Sequence, residues 1–75
     1  MTEKDRKIIE DSEKAGIPIF VTTAKDICSV PSLREYQMFC RMCGCDRKHI
    51  EGVEFRLREF KTWQSANPVL VKKPD

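Results

Sequence analysis

The chain has 75 residues, 35% of them charged, with 14 basic and 12 acidic side chains and a net charge of +2. That length allows one small domain, residues 1–75, with a thin margin of stability for which metal, disulfides or oligomerisation are the usual remedies. The mixed signs argue against the basic block on which dedicated nucleic-acid binders rely. The charged opening Met1 to Lys7, with no apolar run behind it, predicts no secretory signal, no membrane span and a cytoplasmic protein.

A first helix is expected over Thr2 to Ala15: Thr2 can cap it, Glu3 and Asp5 suit its positive end, and Gly16 offers a left-handed stop. Its apolar content is only Ile8, Ile9 and Ala15, so residues 1–16 are expected to dock loosely. Next, Ile17-Pro18-Ile19-Phe20-Val21-Thr22-Thr23 is rich in β-branched residues and reads as a short strand. Its candidate mates are Val69-Leu70-Val71-Lys72, forming a two-stranded ribbon, or the same strand of a second copy.

Ser32-Leu33-Arg34-Glu35 has the form of a capping box opening a second helix that Gly44 can close, with Leu33, Tyr36, Phe39, Cys40 and Cys43 on one face. Asp46 then caps a third helix that runs to about Asn67, where Pro68 ends it. Ile50, Val53, Leu57, Phe60 and Trp63 recur at three- and four-residue steps and form its apolar stripe. A two-residue link between these helices predicts an antiparallel hairpin, so the fold class is mostly α, with the first helix and the short strand or ribbon beside the hairpin and residues 68–75 as a tail. Phe55 points roughly 160° from Leu57 and misses the stripe. With Gly52 in mid-helix, Phe20 on the lone strand and so small a core, Phe55 predicts a homo-oligomer contact.

Three thiols are packed into Cys40-Arg41-Met42-Cys43-Gly44-Cys45, with His49 just beyond. One reading is a zinc site of Cys40, Cys43 and Cys45 with His49 or Cys28 as fourth ligand, since thiolates suit a tetrahedral soft-tolerant cation. Zinc sites usually join two well-separated ligand pairs, however, and here a new helix starts inside the cluster. The reading preferred is that Cys40 and Cys43 are small buried hydrophobes, that His49 lies against the hairpin on the side of Val53 and Phe60, and that no cofactor is held. Cys45 near a helix N-terminus would have a lowered pKa in principle, but no acidic partner is placed to orient the single histidine, so no enzyme is expected.

The basic residues Arg34, Arg41, Arg47, Lys48, Arg56 and Arg58 gather around the hairpin near Tyr36. Arg forks and a helix N-terminus suit phosphate, and an aromatic face suits a base, so Arg34, Tyr36, Arg41, Arg47 and Lys48 are candidate ligands of a nucleotide-like molecule. The competing reading is a solvated face balanced by Glu35, Glu51, Glu54 and Glu59.

Two blocks carry a family likeness: Ile17-Pro18-Ile19-Phe20-Val21-Thr22-Thr23-Ala24-Lys25-Asp26, and Glu59-Phe60-Lys61-Thr62-Trp63-Gln64-Ser65-Ala66-Asn67-Pro68 with Val71-Lys72-Lys73-Pro74-Asp75. Together, over about a third of the chain, they resemble a group of small bacteriophage-encoded accessory proteins that pair an IPVFVL-x-AKD-like strand with an EFxxWQxxNP…KxPD-like C-terminal segment. The group's pattern has no required cysteines between the blocks, so Cys40, Cys43 and Cys45 depart from it. The resemblance brings no activity. It implies an accessory or counter-defence protein that sequesters a phosphorylated ligand or blocks a host protein, and joined to the expectations above it gives a non-enzymatic homo-oligomer in the host cytoplasm. The alternative is a zinc-stabilised nucleic-acid-binding module built on Cys40, Cys43, Cys45 and His49.

Overall fold

The first helix forms where its caps place it. The computed structural model describes residues 1–74, and in it α1 spans Glu3–Ala15. Thr2 and Asp5 exchange side-chain and backbone hydrogen bonds in a capping box, and Gly16 ends the helix in the left-handed region at φ 68°. No residue of α1 is buried, and no Cα of it comes within 8 Å of another helix. Its tie to the rest of the chain is the Asp5–Arg56 ion pair, 2.6 Å long.

Residues 17–23 form no strand and pair with no other segment among the described residues, which corrects the expected ribbon. Pro68-Val69-Leu70 close into a 3-10 turn, which removes most of the anticipated mate and leaves Val71-Lys72 extended. Lys72 alone pairs, and with the segment after the apolar run: Ile27 donates to the Lys72 carbonyl at 3.0 Å and Lys72 donates to that of Lys25 at 2.9 Å. The result is a single parallel bridge, Asp26 to Lys72. High β-propensity does not make a strand without a neighbour to satisfy its backbone.

Helix α2 spans Ser29–Met42 and starts a turn before the Ser32 capping box, which is not used. Asp26 organises this end from outside the helix: its carboxylate accepts from the Cys28 amide at 2.8 Å and its carbonyl from the Ser29 hydroxyl at 2.7 Å. Pro31 falls in the first turn, where a missing N–H costs nothing. At the other end the Cys45 amide bonds to the Cys40 carbonyl and that of Gly44 to Arg41, with Gly44 at φ 69°. This is a Schellman stop. It takes up Cys43 through Asp46, so the link is four residues long and not two.

Helix α3 spans Arg47–Ala66 and ends at Asn67, as Pro68 requires; Asp46 sits at its N-cap without a side-chain bond. Cross-contacts run in opposite order along α2 and α3, from Tyr36–His49 through Gln37–Glu54 to Ser29–Gln64, so the two helices form an antiparallel hairpin. The apolar core is Val30, Cys40, Val53 and Leu57, with Ile50, Phe60 and Trp63 half-buried along the predicted stripe. On α2 the inner face is Val30, Leu33, Gln37 and Cys40; Tyr36, Phe39 and Cys43 are exposed, a correction to the expected face. Gln37 takes the inner position because its amide bonds to the Glu54 carboxylate across the hairpin.

A folded monomer of this mass exposes about 4,800 Å², whereas this 8.8 kDa chain exposes 6283 Å². Its radius of gyration is 13.6 Å, against about 11 Å for a compact domain of the same length. The excess comes from the arm of α1 and residues 17–23, which stands away from the hairpin. No helix among the described residues is long and apolar enough to cross a membrane.

Candidate functional site

The gap between the arm and the hairpin is an open cleft of about 1050 Å³. Ile8 and Ile9 of α1 and Pro18 to Ala24 of the extended segment form one wall; Leu33 and Tyr36 of α2 and Arg56, Glu59 and Phe60 of α3 form the other. Phe20 lines it while remaining 88% exposed. The lining is mostly aliphatic and aromatic, and its charged side chains are Asp5, Arg56 and Glu59. Arg56 is already paired with both carboxylates, at 2.6 Å to Asp5 and 2.9 Å to Glu59. Such a wall offers apolar contact and little for an anion.

The predicted ligand residues are not gathered here. Of Arg34, Tyr36, Arg41, Arg47 and Lys48, the cleft includes Tyr36 alone. Its hydroxyl lies 3.0 Å from His49 Nε2 and the two rings meet edge to face. Burial pushes the phenol above its usual range, with the Cys40 thiol beside it adding to the rise. Arg47 bonds to Glu51 one turn along α3 at 3.2 Å, and Arg34, Arg41 and Lys48 are exposed. Of the oligomer-contact residues, Phe20 lines the cleft, whereas Phe55, 66% exposed, and Gly52 are not among its walls.

The Schellman stop places Cys40 and Cys45 side by side, the positions whose side chains touch in that motif. Cys40 is buried in the core, and Cys28, Cys43 and Cys45 are exposed thiols. Among the described residues no group of three or more His, Cys, Asp or Glu side chains is arranged to hold a metal ion. The Cys45 thiol is pushed up, by desolvation first and by Cys40 next, opposite to the lowering anticipated from its place before α3.

Both likeness blocks meet at one junction on the far end of the hairpin. Gln64 Nε2 donates to the carbonyls of Ala24 at 3.0 Å and Asp26 at 3.4 Å and to Ser29 Oγ at 3.3 Å, beside the Asp26–Lys72 bridge. Asp75, the last residue of the second block, lies outside the described residues. No protein-family model, curated protein or solved structure matches the chain.

Two carboxylates in this framework are held below their usual range. The Gln37 amide does so for Glu54, with Arg58 and Arg41 contributing; the Thr2 backbone amide and hydroxyl do so for Asp5, with Arg56 contributing. A folded-state pKa below the unfolded one adds stability that is fully present above the unfolded value, about 4, and drains as pH falls through the folded value. Thermal melts followed by helical circular dichroism should therefore hold a steady midpoint from about pH 5 to about pH 8, below the range in which the raised thiol and phenol titrate, and lose it on acidification. Gln37→Met should flatten the part of that slope due to Glu54; an unchanged slope would remove Gln37 as its cause.

Proposed function

We propose that this chain is a non-enzymatic binding protein that acts through protein–protein contact at the cleft. The observation that supports the reading most is the wall itself: Ile8, Ile9, Ile19, Phe20, Leu33 and Phe60 face one opening whose only guanidinium is already paired. Apolar openings of this kind on a small chain mark interaction sites. Of the two roles that the phage-accessory resemblance implies, blocking a protein fits this wall. Sequestering a phosphorylated ligand would need Arg34, Arg41, Arg47 and Lys48, which stand outside it.

A photo-crosslinker tests the reading. With p-benzoylphenylalanine in place of Phe20, irradiation in the bacterial host should yield discrete protein adducts, identified by mass spectrometry, and the same group in place of Arg47 should yield none. No adduct from position 20, together with a co-purifying nucleotide released by Arg47→Ala and Lys48→Ala, would overturn it.

A further inference from the structure

We infer that the occupant of the cleft is a second copy of this chain, seated through an antiparallel pairing of the two α1 arms about a two-fold axis. This rests on the reading of the cleft as a protein-binding site and names its partner. Three observations support it.

The first is area. The surface in excess of a compact monomer is about 1,500 Å² per chain. Two chains covering it would bury about 3,000 Å², within the range of obligate homodimers. The second is how little of the arm the fold uses: no residue of α1 is buried and it packs on no helix, yet both of its isoleucines line the cleft.

The third is charge. Ile8 and Ile9 line the cleft, and at 100° per residue Lys4 and Asp11 share one flank of that face while Arg6 and Glu13 share the other. Each flank thus carries a cation in the first half of the helix and a carboxylate two turns later. An antiparallel second copy sets Lys4 against Asp11 and Arg6 against Glu13 on both sides, four opposite-charge pairs generated by two. All four side chains are exposed, and among the described residues only Asp11 has an ion-pair partner within its own chain, Lys7 at 3.6 Å. A two-fold contact needs such self-complementarity, and an unrelated partner does not.

The test is sedimentation of the full chain and of two charge variants. The wild type should sediment at twice its 8.8 kDa chain mass, with a dissociation constant at or below about 1 µM. Lys4→Glu with Arg6→Glu gives an acidic arm, and Asp11→Lys with Glu13→Lys a basic one. Each should weaken self-association by about tenfold or more, and an equal mixture should restore a dimer containing one of each. Both changes place charge favourably along the helix dipole, so a lost dimer is not a lost helix, as circular dichroism will check. A wild type that sediments as one chain, or a dimer indifferent to both variants, overturns the inference. A monomer whose Phe20 crosslinker captures a different, identified protein ends this inference alone and leaves the binding reading standing.

Discussion

Leu57→Ala should cost about 3 kcal/mol and lower the melting temperature by more than about 10 °C. Leu57 is 4% exposed and, with Val30, Cys40 and Val53, makes up the buried apolar set among the described residues. A chain of this length has roughly 4–11 kcal/mol to lose, so one emptied position is a large share of it. The two helices meet along a single seam, and nothing beneath that seam can move in to fill a void. Chemical denaturation measures the loss directly. Phe55→Ala is the contrast: the ring faces solvent on the opposite side of α3, and its removal should change stability by less than about 0.5 kcal/mol. A larger cost at Phe55 would return that side chain to a contact surface.

Gln64→Leu should cost about 2 kcal/mol, by a different route. Its volume is nearly conserved, so packing is retained and the loss is polar. The Gln64 amide serves two carbonyls and the Ser29 hydroxyl, and Ser29 is the most buried side chain in the protein at 1% exposure. Without that donor, the Ala24 carbonyl has no partner among the described residues while the Asp26 carbonyl keeps the Ser29 hydroxyl and amide. Loosening should be local. Hydrogen exchange at the Ile27 and Lys72 amides should accelerate by about tenfold, matching loss of about 1.4 kcal/mol of local opening energy, while amides near Leu57 change far less. Uniform acceleration through α2 and α3 would show that the junction is part of the global unfolding unit instead.

The elements that could be read from the sequence are those whose causes are local. Thr2, Asp5 and Gly16 lie within or beside the helix they delimit, and the stripe from Ile50 to Trp63 states its own period. The start of α2 was hidden because its organiser, Asp26, lies three residues outside the helix, while Ser32 and Glu35 offered a plausible cap one turn too late. The run from Ile17 to Thr23 misled because propensity describes a residue's fit to a sheet, not the presence of one. Gln37 and Gln64, the two amides that join the elements, escaped because hydrophobic periodicity counts apolar side chains only. Tyr36, expected as a ligand contact, and Phe20, expected as an oligomer contact, both line the cleft, but no spacing in the sequence joins them, and no residue of α1 is buried. The walls of the cleft depend on where the arm is carried after Gly16, and no spacing in the sequence encodes a direction.

The bridge between Asp26 and Lys72 encloses the entire hairpin in one loop of chain. Closing a loop costs entropy that rises slowly with its length, and contacts between helix neighbours form before distant ones can be rewarded. The hairpin therefore assembles first and shortens the path between residues 26 and 72, after which the tail fastens across the open end. By the same order the tail lets go first. A protease or an unfoldase pulling from the C-terminal side meets a clasp before it meets a core, and the few hydrogen bonds of that clasp set how long the core stays out of reach.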